Sequence, residues 1–104
     1  MQHTRKEQME AFGRFLDILD ELRVKCPWDK KQTNESLRPN TIEETYELCD
    51  ALMRDDKQDI CKELGDVLLH VAFYAKIGSD SWGWRLWLNI CWCAVKMSAQ
   101  RVWL

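Results

Sequence analysis

Two groups of acidic residues stand out: Glu43-Glu44-Thr45-Tyr46-Glu47 and, after fifteen intervening residues, Glu63-Leu64-Gly65-Asp66. Residues three or four apart share a face of a helix, so Glu44 with Glu47, and Glu63 with Asp66, each form a carboxylate pair aimed one way. Two such helices laid antiparallel converge four carboxylates on one spot. Unit charges about 5 Å apart repel by roughly 3 kcal/mol at an effective dielectric near 20, so the convergence calls for cations. Hard divalent ions with oxygen ligands meet that need, with Mg²⁺ the usual choice where phosphates are handled and Mn²⁺ its substitute.

The elements that must position these acids follow from hydrophobic spacing. A first helix opens at Thr4, with Glu7 at the capping-box position. It carries Met9, Phe12, Phe15, Leu16, Leu19 and Leu22 on one side and ends at Pro27. Residues 25–40 hold Pro27, Asn34, Pro39 and Asn40 among polar residues and read as a working loop, with at most one helical turn from Thr33. A second helix is predicted from Asn40 or Thr41 to about Arg54. Ile42, Thr45, Cys49, Leu52 and Met53 lie on one side of it, and Glu43, Glu44, Glu47 and Asp50 on the other. Taken alone, that pattern describes a solvated acidic face.

A third helix changes the balance. From Leu64 to Ile77 it is apolar nearly all round and is expected to be central and buried. Glu63, Asp66 and His70 form one polar line along it. Ionised carboxylates are rarely buried unless paired or bound to metal, so this line reads as functional and raises the first acidic group with it. His70 reads as a satisfied core residue or a supporting group rather than a ligand. Gly65, costly in a helix interior, is expected where something approaches closely.

The composition bounds the rest. A chain of 104 residues makes one small domain, which a partner subunit would help to stabilise. A net charge of -2 argues against an electrostatic grip on nucleic acid or anionic membrane. The longest apolar stretch, Leu86 to Val95, is too short for a membrane span. Five cysteines without a CxxC pair fit a reducing cytoplasm, as ordinary buried thiols rather than a zinc site.

The segments Cys26-Pro27-Trp28-Asp29-Lys30-Lys31-Gln32-Thr33, Ser36-Leu37-Arg38-Pro39, Glu43-Glu44-Thr45-Tyr46-Glu47 and Glu63-Leu64-Gly65-Asp66-Val67-Leu68-Leu69 together strongly resemble the MazG-type nucleoside triphosphate pyrophosphohydrolases. The resemblance covers about residues 10 to 78. It implies an all-α, MazG-like helical bundle completed by dimerisation, and Mg²⁺-dependent hydrolysis of nucleoside triphosphates to monophosphate and pyrophosphate. It makes Glu44, Glu47, Glu63 and Asp66 the metal ligands. Glu43 or Glu47 is then the base for the attacking water, with Glu43 favoured because a ligand is a poorer base. Lys30, Lys31 and Arg38 are candidates for the phosphates and Trp28 for the base.

Two readings compete with this one: a non-catalytic helical interaction module, and an all-α phosphohydrolase of the dUTPase or dCTPase kind. Asn34 stands where many similar proteins carry His. The chain divides at 1–78, the enzyme-like part, and 79–104, a segment foreign to the resemblance that holds five of the six tryptophans and no acidic residue after Asp80. Trp84, Trp87, Leu88, Cys91, Trp92 and Val95 follow helical spacing there, so they are expected to pack on the bundle or on a second subunit.

Overall fold

A computed structural model of the chain describes the backbone of residues 3–82 and 86–103 and the side chains of residues 3–80 and 86–96. Among these residues all regular structure is helical: α1 (Arg5–Lys25), α2 (Pro27–Lys31), α3 (Asn34–Arg54), α4 (Lys57–Trp82) and α5 (Leu86–Trp103). The expected all-α class is therefore observed.

Helix α1 begins as its capping box predicts, with Thr4 accepting from the Glu7 amide and the Glu7 carboxylate accepting from the Thr4 amide. The segment expected to be a long loop is instead mostly helix. Pro27 opens α2, where its missing N–H costs nothing. A second reciprocal box, Thr33 with Ser36, starts α3 at Asn34, six residues before the expected start. Pro39 sits inside α3 and forgoes one bond, to the carbonyl four residues back, which the strong cap and the tertiary contacts of Leu37 outweigh.

Asp55 (φ 53°) takes the left-handed conformation after α3, where the Asp55 and Asp56 amides donate to the carbonyls of Leu52 and Ala51 in the Schellman pattern. Asp56 then caps α4 by accepting from the Asp59 amide at 3.2 Å. This two-residue reversal lays α3 and α4 side by side and antiparallel.

The core lies at the far end of that hairpin, where Leu19, Leu37, Ala72 and Phe73 are buried and Phe15, Leu16, Tyr74, Ile77 and Trp87 close around them. Lys76 ties α4 to α1 through Asp20 at 3.1 Å. Gly78 lets α5 approach closely: a Cβ there would lie 2.7 Å from Leu86 Cδ2, so the buried leucine would have to shift.

Helix α4 is not buried all round as expected: among the described residues, Leu64, Leu68, Leu69 and Val71 are exposed. Nor does any of the described residues approach Gly65, whose added Cβ would meet open space. The cysteines are not buried thiols either. Cys49, Cys61, Cys91 and Cys93 are exposed and Cys26 is half-buried, none in a disulfide.

In α5, Leu86 is buried and Trp87 meets Phe12 edge-on at 5.7 Å, while Leu88, Cys91, Trp92 and Val95 face outward. The expected packing of Trp84 concerns a residue outside the described ones.

Candidate metal centre

The α3–α4 reversal decides which acids meet. Glu47 and Glu63 each lie eight residues from Asp55, and Glu44 and Asp66 each lie eleven, so the antiparallel pair sets Glu47 across from Glu63 and Glu44 across from Asp66. One ligand oxygen from each of Glu44, Glu63 and Asp66 falls within 4.8 Å of the others. Glu63 is only 5% exposed and Glu44 is half-buried. Glu47 is exposed at the rim of this trio. Glu43 is also exposed, on the outside of α3, and is not among the gathered acids.

The inner face of α3 is therefore Leu37, Thr41, Glu44, Leu48 and Ala51. The apolar stripe of Ile42, Cys49, Leu52 and Met53 points outward, with Tyr46 and Thr45. The reading of the acidic side as a solvated face is overturned at Glu44, because α4 offers that side its own acids rather than an apolar surface.

The electrostatics record the crowding. Burial raises the Glu44 pKa above the usual carboxylate range, and the charges of Asp66, Glu47 and Glu63 push it further. The Glu63 charge does the same to Glu47. One cation reaches the trio: Lys62 Nζ lies 2.9 Å from Glu63 Oε1 and 3.3 Å from Asp66 Oδ2, and its pKa is raised by these bonds. Arg54 is held apart by Asp50 (3.0 Å), Asp56 (3.5 Å) and Asp59. Glu44 Oε2 and Glu63 Oε2 are buried without any hydrogen-bond partner. A buried carboxylate oxygen left so is costly, and a hard cation is the partner that would satisfy both at once. The donor set thus fits a divalent ion, and no cysteine belongs to it.

Behind the trio lies a network that sequence reasoning missed. Thr41 Oγ1 contacts the Leu37 carbonyl at 3.1 Å, His70 Nδ1 at 2.6 Å and the Tyr74 hydroxyl. With its single proton given to the carbonyl, Thr41 Oγ1 can accept from both His70 Nδ1–H and the Tyr74 hydroxyl, an assignment inferred from the bonding pattern. Burial lowers the His70 pKa, opposed by the Asp66 charge. His70 is thus half-buried and hydrogen-bonded, and is not among the gathered acids. The available signal was the i, i+4 pair of His70 and Tyr74 in the otherwise apolar stretch from Val67 to Ala75.

The remaining candidates lie around α2. Arg23 donates through one guanidinium nitrogen to the carbonyls of Asp29, Lys30 (3.2 Å) and Gln32 (3.0 Å), which fixes α2 against α1. Trp28 lies edge-on to Phe73 at 6.4 Å between centroids yet remains 55% exposed. Lys30, Lys31 and Arg38 are exposed, and none forms an ion pair among the described residues.

Comparison with known proteins places this arrangement. Residues 32–97 match the MazG nucleotide pyrophosphohydrolase domain. The chain is 47% identical over 79 residues to the nucleoside triphosphate pyrophosphohydrolase/pyrophosphatase MazG of Thermotoga maritima, covering 72% of this chain and 30% of that protein. It is 45% identical over 75 residues to the nucleoside triphosphate pyrophosphohydrolase of Escherichia coli K12, covering 69% and 28%. It is 51% identical over 71 residues to the uncharacterized protein YabN of Bacillus subtilis, covering 66% and 14%. The chain thus spans less than a third of the length of these relatives. The matched region spans more than half of this chain and contains both acidic pairs and the reversal that joins them, so the chain belongs to the MazG nucleotide pyrophosphohydrolase domain family.

Proposed function

We propose that this chain hydrolyses nucleoside triphosphates to nucleoside monophosphate and pyrophosphate, with Glu44, Glu63 and Asp66 holding Mg²⁺ or Mn²⁺ and Glu47 at the rim of the same site. The observation that carries the reading is the inward trio of acids with two buried, unpartnered oxygens, in a chain of this family. The names of the Escherichia coli and Thermotoga maritima relatives support the substrate class. When bound, the ion supplies charge to screen the polyphosphate and to acidify a water molecule.

The chain's own residues do the rest. Cleavage releases pyrophosphate when water attacks the α-phosphorus in line with the leaving oxygen. Glu47 takes the proton, because it is water-accessible and stands at the rim of the trio, across from Glu63. Glu43, farther out on the same helix, is the second candidate for that role. Lys30, Lys31 and Arg38 hold the β and γ phosphates, and Trp28 offers an exposed ring to the base.

A second copy covers the outward stripes Ile42, Tyr46 and Met53 of α3 and Leu64, Leu68 and Val71 of α4, which are too extensive to suit a lone small domain. Among the described residues no helix is long and apolar enough to cross a membrane. Cysteines outside disulfides and the absence of a large basic excess support a cytoplasmic enzyme that does not bind nucleic acid.

Pyrophosphate release from a panel of ribo- and deoxyribonucleoside triphosphates with Mg²⁺ tests the reading. Turnover of at least one substrate, abolished by chelation, is expected. No turnover with either Mg²⁺ or Mn²⁺ would leave the interaction module as the better account.

A further inference from the structure

Lys62 stands in an unusual place for a surface lysine. Its ammonium bonds two of the three acids that form the candidate metal centre, and among the described residues it is the one cation that does. The two ends of the contact differ sharply, since the Lys62 side chain is 64% exposed and that of Glu63 only 6%. Lysine can therefore leave toward water without disturbing any packing, while Glu63 cannot follow it. A divalent ion bound at these oxygens would stand only a few ångströms from the ammonium and repel it.

The place to which Lys62 would turn is already formed. An open groove of about 580 Å³ runs beside the trio, lined by Tyr46, Glu47, Asp50, Arg54, Asp59 and Glu63 together with Lys62 itself; Arg54 offsets Asp50 and Asp59 there, and a bound ion would offset Glu63. Arg54 is already committed there to three aspartates, so Lys62 is the groove cation that ion binding sets free. A multiply charged phosphate chain reaching from the metal centre would enter this groove and meet an ammonium with three donors.

Resting on the metal-dependent reading above, we infer that Lys62 is a displaceable counter-ion: it neutralises Glu63 and Asp66 in the cation-free chain, is driven off them by the arriving ion, and then holds a phosphate group of the substrate or product in the adjoining groove.

Three measurements on the full chain and on Lys62→Met test this. In calorimetric titration the variant binds Mn²⁺ severalfold more tightly than wild type, because no lysine has to be displaced. In nitrogen-detected NMR of the wild type, the hydrogen-bonded Lys62 ammonium resonance, assigned by its loss in the variant, shifts or broadens on saturation with Mg²⁺. With Mg²⁺ saturating, inorganic pyrophosphate binds the variant about tenfold more weakly, as the loss of one charge-assisted bond predicts, and Lys62→Arg recovers most of that loss. Equal Mn²⁺ affinity in both chains, an ammonium signal unmoved by Mg²⁺, or unchanged pyrophosphate binding would each overturn the inference. If wild type binds Mn²⁺ while the lysine stays in place, only this inference falls; if wild type binds no divalent ion, the metal-dependent reading falls with it.

Discussion

The two ends of the α3–α4 hairpin solve opposite problems with the same geometry. Away from the reversal, Leu37 and Phe73 meet the α1 residues Phe15, Leu16 and Leu19 in an apolar core that gains stability as it closes. Toward the reversal, the same inner faces present Glu44, Glu63 and Asp66 to one another, with one lysine to offset them. The core end holds the helices together, and the acidic end is forced into proximity by that grip. The difference teaches that convergence of charge here is a consequence of packing elsewhere in the hairpin.

If that division holds, substitutions at the two ends separate catalysis from stability. The largest effect is expected from Glu63→Gln, which lowers the rate of pyrophosphate release by about a hundredfold or more, by analogy with other losses of directly interacting charged groups, while the circular dichroism spectrum stays helical. Near wild-type turnover would remove Glu63 from the site.

Leu37→Ala probes the other end. It is expected to lower the free energy of unfolding by about 3 kcal/mol in a urea titration, as for other fully buried leucines. A loss below about 1 kcal/mol, outside the usual range for such sites, would mean that the core end is not what holds the hairpin closed.

Ligand linkage sharpens the comparison further. Mg²⁺ at a hundred times its dissociation constant should stabilise the chain by about 2.7 kcal/mol, read as a rise in melting temperature, and Glu44→Gln with Asp66→Asn should cancel most of that rise.

The smallest effect is a pH dependence. Glu44 and Glu47 have raised pKa values in the folded chain, so the folded state holds protons that the unfolded state has already released. In chelator-treated protein their unfavourable contribution is fully present at neutral pH and fades as pH falls through the raised folded values toward 4.5. These two groups therefore favour stability on mild acidification, and Mg²⁺ should abolish the gain. Thermal melts between pH 7 and pH 5, with and without Mg²⁺, check both signs.

Much of this was legible in the chain. The caps at Thr4 and the acidic spacings lead directly to α1 and to paired carboxylates. Three features were not legible. Asn34 and Pro39 mark loops on average, but the Thr33–Ser36 box and the burial of Leu37 override them, so α3 begins a turn and a half early. Taken alone, the pattern of α3 describes a solvated acidic face, because an apolar stripe normally points at the nearest neighbour; only the acids of the next helix pointed the other way. Ile42 and Met53 point away because α4 meets the other side. No single-helix pattern contains that information; it depends on the register set at Asp55 and Asp56. The Thr41–His70–Tyr74 network likewise unites residues twenty-nine and thirty-three positions apart.

Arg23 carries one more implication. A helix of five residues such as α2 has no independent persistence in water, and its carboxyl end is tied down by a single guanidinium from the preceding helix. The stance of Trp28, Lys30 and Lys31 is thus inherited from a side chain that touches no phosphate and no acid of the metal centre. Under the proposed function, drift at Arg23, even to lysine, would change how these side chains are presented while leaving the acids of the metal centre untouched, making it a hidden dial for divergence among kin of this chain.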